Sequence, residues 1–495
     1  MSAPRTAPSR GRFLRGRSRI DKKASPGHGP GFMGRKNIPH MVAKKIHIVS
    51  LGCPKNQVDS EVMGAILAES GYLLTDRPEE AAVILINTCA FILPAREEAI
   101  AEILQAAAWK TGRKGPCSHL VVTGCLPQRY GRELEEALPE VDLFLGTAET
   151  PHIGRHLDRL LTLPKNDRRR RSVIGRPTFL MNAGHRRLIS STAHSAYIKI
   201  ADGCSNHCSY CVIPSIRGKA RSRTIDDILR EAEDLAARGV RELIVTAQDT
   251  TAYGRDLKGK PTLSKLLKEL VSLRGIRWIR LLYTYPASVT EDLLQTIAEE
   301  EKICKYLDIP IQHIDNDILK AMNREGGSEQ IRDVITKARS VIPDLALRTS
   351  LIVGFPGETR PKFNRLLAFI REARFDHLGV FTYSGEEGTM AASFKSRITE
   401  KEKEVRRQLL MEEQAIISHE INHSLINSHQ EVMIEGKSDD IPHFPFVGRC
   451  RRQTPDVDGI TYVKGENLAT GDIVNCRITA GGEYDLFAEK TTKDV

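Results

Sequence analysis

The sequence has no apolar run of the ~18 residues that a membrane-spanning helix requires. Its first segment has neither the apolar core nor the small-residue cleavage site of a secretory signal. These absences predict a cytoplasmic, reducing setting without a membrane partner. The ten cysteines then read as metal ligands or buried thiols rather than disulfides. A third absence is net charge in the body of the chain. The formal charge is +10, yet residues 1–45 hold twelve Lys or Arg against the single acid Asp21, so the remainder is close to −1. That excludes a basic nucleic-acid binder of the usual kind. Hydrophobic (40%) and charged (27%) shares and two tryptophans are ordinary for a soluble protein, and 495 residues suffice for about three domains.

Residues 1–43 are rich in Arg, Ser, Gly and Pro and are predicted to be a disordered basic extension. They read either as a basic arm or organelle address, or as an extension ahead of a start at Met41. Residues 44–160 have the pattern of a parallel α/β domain. The runs KKIHIVSLGC, AAVILINTC and HLVVTGC are β-branched and end at Cys53, Cys89 and Cys125, 36 residues apart in each case. Helical stretches separate them: DSEVMGAILAESGY, with Asp59 or Ser60 as N-cap, and PAREEAIAEILQAAAWK, opening at Pro94. Right-handed crossovers bring every strand's C-terminal end to one edge of a parallel sheet, so the three cysteines should meet there as a metal site. Cys117 falls outside the pattern.

Residues 161–190, with the run Arg168–Arg171, read as a solvated linker. From 191 to 421 a second series of six apolar runs alternates with helical stretches, as in an open or partial (β/α)6 barrel whose site lies at the strand C-terminal ends. Residues 422–491 hold short strands punctuated by Gly and Asp, as in a small antiparallel β-barrel. Between 423 and 489 there are eleven acids against six bases, the wrong sign for an oligonucleotide-binding barrel, so direct RNA binding is not expected.

After the first barrel strand comes ADGCSNHCSYCVIPSIRG, with Cys204, Cys208 and Cys211 in eight residues. A structural zinc site needs a fourth ligand, from His207 or elsewhere. A cubane iron–sulfur cluster normally takes four thiolates; given three, one iron keeps an open position that can bind a small molecule.

C-x-x-x-C-x-x-C in this position, with IVGFPGE at 352–358, resembles the radical S-adenosylmethionine superfamily. A three-cysteine domain ahead of the barrel and a small β-barrel behind it resemble its methylthiotransferase family, over nearly everything from 44 to 490. SLGCPKNQVDSE, IPSIRGKARSR, WIRLLYTYP, LDIPIQH and GVFTYSGEEGT are similar to the branch that modifies an aspartate of a ribosomal protein. The tRNA-modifying branch would read more like FGCQMN and IVPYTRG. One departure is Asp202, where Glu is commoner.

The resemblance implies two [4Fe-4S] clusters. Cys204, Cys208 and Cys211 would hold the radical cluster with S-adenosylmethionine on its open iron, and Cys53, Cys89 and Cys125 the auxiliary cluster that carries the sulfur. It implies methylthio insertion at the β-carbon of an aspartate of ribosomal protein uS12, using two S-adenosylmethionine per turnover. Implied partners are uS12 or the small ribosomal subunit, a low-potential donor such as flavodoxin or ferredoxin, and a sulfur donor. An acidic C-terminal barrel suits a basic ribosomal protein better than RNA. Gln248 and Asp249, Gln312 and His313, and Arg348, at or on barrel strands, are candidates for the S-adenosylmethionine or aspartate pocket. Arg217 and Arg221 read either as carboxylate contacts or as solvated loop arginines, and Cys304, Cys450 and Cys476 as buried thiols. The alternatives are a tRNA methylthiotransferase and a non-enzymatic metal-binding protein that docks on ribosomes.

Overall fold

The computed structural model describes residues 44–111, 115–162, 171–190, 193–395 and 397–491, so the predicted basic extension at 1–43 lies outside the described residues. Among the described residues no helix is long and apolar enough to cross a membrane.

The N-terminal runs form the expected strands: β1 (Lys45–Ser50), β2 (Leu73–Leu74), β3 (Val83–Thr88), β4 (His119–Gly124), β5 (Leu143–Leu145) and β6 (Ser172–Val173). They make one sheet, ordered β2-β1-β3-β4-β5-β6, with every pairing parallel. All six residues of β3 are buried, as a strand covered on both faces must be. Thr88 pairs with Gly124, so Cys89 and Cys125 are the next residues on neighbouring strands. Cys117 precedes β4 and lies at the opposite end of the sheet from Cys125.

Two expectations are corrected here. Helix α1 spans Pro54–Glu69, with Cys53 as N-cap and Pro54 at its first position, so Asp59 and Ser60 are buried residues inside the helix rather than its cap. The helix starts earlier because Pro54 is already set for helical φ, and the polar run NQVDSE is a packed face. Second, the described part of the linker is not solvated. Ser172–Val173 extends the sheet, Met181 is fully buried, and Arg187 is buried against Glu61 and Glu231.

The second series gives β7 (Ser195–Lys199), a two-stranded ribbon of β8 (Ala201–Asp202) and β9 (Arg221–Ser222), then β10 (Glu242–Thr246), β11 (Trp278–Leu281), β12 (Tyr306–Asp308), β13 (Ala346–Val353) and β14 (His377–Thr382). β7-β10-β11 and β12-β13-β14 are parallel sheets joined by the single bridge Ile279–Ile303. Six strands thus form an arc with β7 and β14 as unpaired ends, a partial barrel. Val58 and Val62 of α1 pack with Tyr197, Ile244, Trp278 and Tyr306 of these strands.

The last domain is a closed five-stranded barrel of β15 (His429–Lys437), β16 (Phe446–Cys450), β17 (Thr461–Lys464), β18 (Ile473–Gly481) and β19 (Leu486–Lys490). Four of its pairings are antiparallel and one, β17 with β19, is parallel. It docks on the N-terminal ends of the partial-barrel strands. Glu242, at the start of β10, is fully buried and held by Arg280 (2.9 Å) and Arg449 (2.7 Å). Burial opposes ionisation of Glu242, but the two guanidiniums outweigh it and bring the carboxyl down to about 2.

Removing one partner of a buried charge group costs about 3–5 kcal/mol, so Glu242→Gln should lower the urea midpoint sharply at neutral pH. A carboxyl whose folded pKa lies below its ordinary value of 4.5 stabilises the fold above about pH 4.5. That contribution is lost as pH falls toward 2. The gap between wild type and E242Q should therefore shrink through that window; a constant gap would refute the ion-pair account.

Candidate metal centre and active site

Each cysteine trio depends on local backbone geometry. Cys53, Cys125 and Cys204 each follow a glycine in the left-handed region: Gly52 (φ +90°), Gly124 (φ +95°) and Gly203 (φ +80°). At all three close approach explains why, and at Gly124 a β-carbon would lie 2.7 Å from the Thr88 carbonyl oxygen. A β-carbon on Gly52 would lie 2.4 Å from Cys89 Cβ, and one on Gly203 would lie 2.2 Å from the Lys219 carbonyl oxygen. Glycine lets the first and second strand ends meet, and lets the barrel loop fold back on itself.

The thiols of each trio sense one another. Burial, then Cys125 and Cys53, push the Cys89 thiol up to about 12. Burial, with Cys208 and Cys204 adding to it, pushes Cys211 up to about 12 as well. Three thiols so placed cannot ionise together unless a cation shares their charge, which is the chemistry of a metal-binding set. The described residues hold no group of three His, Cys, Asp or Glu side chains that could close on one metal ion. A cubane needs less convergence, because each thiolate binds a different iron.

The loop from Cys204 to Cys211 is anchored throughout. Cys204 N–H donates to Gly218 O (3.0 Å), Ser209 N–H to Met322 O (2.9 Å), and Asn323 Nδ2 to His207 O (2.6 Å). The His207 side chain is exposed. Asp249 accepts from Asn206 Nδ2 at 2.8 Å, bracing the loop from β10. Gln248 donates to Asp202 Oδ1 at 3.2 Å, while its Oε1 is buried without a partner. Thr246 Oγ1 and His313 Nε2 are likewise buried and unpartnered. Burial pushes His313 down to about 3. Its Nδ1 accepts the Asp315 N–H at 2.9 Å, which assigns the proton to Nε2. Such unsatisfied groups are costly in a packed barrel and suit a polar ligand with donors and acceptors of its own.

Gln312 has φ +68° and its side chain hydrogen-bonds to no described residue. Arg348 lies between Asp308 and Asp458, at 3.3 Å from each.

Arg217 corrects the reading of solvated loop arginines. Its guanidinium is buried and donates to Asp59 Oδ2 (2.6 Å), Asp202 Oδ2 (3.5 Å), Asn56 Oδ1 and Cys125 Sγ (3.6 Å). Lys199 Nζ closes the cluster on Asp59 (2.5 Å) and Asp202 (3.0 Å). Asp202 in turn receives the Gly203 N–H at 2.9 Å, next to Cys204. One buried charge network therefore runs from Cys125 of the first trio to the loop of the second. Arg221 is partly buried and donates to the Pro177 and Arg217 carbonyls. A second contact between the domains is Glu386, held by Arg129 (2.8 Å) and Arg96 (3.3 Å). The sequence reading missed Asn56, Asp59, Lys199 and Glu386. For Asn56 and Asp59 the signal was the run of polar residues in NQVDSE, where a helix beginning at Pro54 would need a buried face.

The Radical SAM superfamily model matches residues 198–370, the Uncharacterized protein family UPF0004 model residues 45–146, and the TRAM domain model residues 427–490. A radical S-adenosylmethionine enzyme flanked by an N-terminal α/β domain and a TRAM barrel is the class these matches define. The protein named ribosomal protein uS12 methylthiotransferase RimO in Syntrophus aciditrophicus is 62% identical over 446 residues, covering 90% of this chain and 98% of that one. The protein of the same name in Geobacter sulfurreducens is 50% identical over the same shares. A solved radical S-adenosylmethionine methyltransferase, TsrM from Kitasatospora setae, aligns over 68% of this chain and 73% of its own, at 13% identity and a TM-score of 0.48. The chain belongs to the RimO family of uS12 methylthiotransferases.

Proposed function

We propose that this protein inserts a methylthio group at the β-carbon of an aspartate of ribosomal protein uS12, with Cys204, Cys208 and Cys211 holding the radical cluster and Cys53, Cys89 and Cys125 an auxiliary one. The observation that carries the reading is the charge network joining the two trios, from Cys125 through Arg217 and Asp202 to the Cys204 loop. When bound, the radical cluster and S-adenosylmethionine supply a carbon-centred radical, and the auxiliary cluster supplies the sulfur.

The protein's own residues bind and exclude. The six thiols would hold the two clusters, three at the ends of β1, β3 and β4 and three in the loop after β8. Gln248 Oε1, Thr246 Oγ1 and His313 Nε2 offer polar contacts in an otherwise packed barrel. The C-terminal barrel closes the opposite end against water. Its excess of acids favours a basic protein over RNA as the docking partner. Electrons come from a low-potential donor of the flavodoxin or ferredoxin type, and a separate sulfur donor renews the auxiliary site.

Mass spectrometry of uS12 and of bulk tRNA from a deletion strain tests the reading. uS12 should be lighter by about 46 Da, one methylthio group replacing one hydrogen, with tRNA unchanged. A loss on tRNA alone would assign the chain to the other substrate class.

The glycine geometry adds a prediction. Gly52→Ala puts a β-carbon 2.4 Å from Cys89 Cβ on backbone with φ +90°, which costs on the order of 1–3 kcal/mol in strain. The anaerobically reconstituted variant should bind less iron, the loss confined to the first trio, with the electron paramagnetic resonance signal of the Cys204 trio retained.

A further inference from the structure

Helix α2 (Leu93–Thr111) begins four residues after Cys89 and carries two apolar faces, where one is enough to hold it on its sheet. Ala99, Ile103, Ala106 and Ala107 are buried in the core of the first domain. On the other side Leu93, Ile100 and Leu104 recur at i, i+7 and i+11, which lines them up along the helix, and they are 45, 38 and 49% exposed. Phe91, also exposed, extends the stripe to within two residues of Cys89. Single exposed apolar side chains are ordinary, but a contiguous run of them along one helix marks a surface that a partner covers.

Position and charge identify that partner. Arg96, in the first turns of α2, meets Glu386 (3.3 Å) in the loop after β14. The stripe therefore starts where the first domain touches the C-terminal edge of the partial barrel. A macromolecule whose side chain reaches the strand ends of both domains lays the rest of its surface across this junction. Glu97 and Glu98 are exposed between Leu93 and Ile100, and no base is exposed from Phe91 to Trp109. Across the junction Glu387 is a third exposed acid and Met390 a further exposed apolar side chain. A basic protein with an apolar patch matches such a surface, whereas the phosphates of an RNA would be repelled. A second copy of the chain, paired about a two-fold axis, would bring the same acids together.

We propose that the exposed stripe of α2, with Glu97 and Glu98, is the docking surface for the body of ribosomal protein uS12 and holds it while the target aspartate enters the site. This rests on the function proposed above and assigns the substrate a second point of attachment. The apolar residues set how long the complex lasts, and the acids set how fast it forms.

The test uses the reconstituted holoenzyme, whole uS12, and a synthetic peptide that carries the target aspartate without the rest of uS12. Ile100→Lys and Leu104→Lys should each weaken uS12 binding at least tenfold and raise KM with kcat unchanged. Peptide modification, iron content and reductive cleavage of S-adenosylmethionine should match wild type. Glu97→Gln combined with Glu98→Gln should slow uS12 association several-fold at low salt and flatten its salt dependence, with dissociation unchanged.

Wild-type affinity of I100K and L104K for uS12 overturns the proposal. So does an equal loss on the peptide, which would place the effect in the site rather than on a docking surface. Should either variant fail to fold, the E97Q/E98Q protein decides, and a salt dependence like that of wild type overturns the proposal. A wild-type dimer that I100K dissolves would give the stripe to a second copy and overturns it too. If wild type modifies tRNA and leaves uS12 untouched, the underlying function falls and the proposal with it; the other outcomes leave that function standing.

Discussion

Cys204→Ala should abolish every reaction of S-adenosylmethionine that needs a radical, whereas Cys53→Ala should abolish methylthio transfer and leave reductive cleavage intact. The asymmetry follows from where the two thiols sit. Cys204 lies in a loop whose backbone is pinned to Gly218, Met322 and the His207–Asn323 contact, so removing one thiol leaves the rest in place without a third ligand. Cys53 caps α1 on the other side of the network and touches none of those anchors. The measurement is 5′-deoxyadenosine and modified uS12 counted in the same anaerobic reaction. C204A should show neither product. C53A should show 5′-deoxyadenosine alone, a loss of at least a thousandfold in modified uS12, as expected when a group acting only in the reaction is removed. Full transfer by C53A would eliminate the auxiliary site.

The second large effect concerns folding as much as chemistry. Arg217→Met should destabilise the protein by about 3–5 kcal/mol, because it leaves Asp59 and Asp202 sharing the single cation Lys199 in a buried place. The same change removes the donor to Cys125 Sγ and frees Asn56 Oδ1. Urea unfolding reads the first consequence. The midpoint potential of the auxiliary cluster reads the second, and it should fall, since a thiolate deprived of a hydrogen-bond donor favours the oxidised, less negative cluster. A variant that keeps both wild-type stability and wild-type potential would show the network to be incidental.

The fold was legible to the extent that it is written in local pattern. β-Branched runs ending in cysteine predicted three parallel strand ends at one edge, and six further runs predicted the arc of strands beyond. The strand-end positions of Cys53, Cys89 and Cys125 were legible as well, because position after a strand is visible in one dimension. The start of α1 was not, since Asp59 and Ser60 have the chemistry of a cap and only the proline at its first position argued for an earlier start. Arg217 was opaque for a different reason. An arginine in a loop is usually solvated, and its partners Asp59, Asn56 and Cys125 come from another domain more than ninety residues away.

The buried trio of Glu242, Arg280 and Arg449 also bears on how short this protein can be made. A chain cut before residue 427 would keep every cysteine of both trios. It would also strand Glu242 with a single cation and open the floor of the partial barrel to solvent. The terminal barrel is therefore a cork as well as an attachment: truncation yields not a smaller catalyst but a leaking vessel.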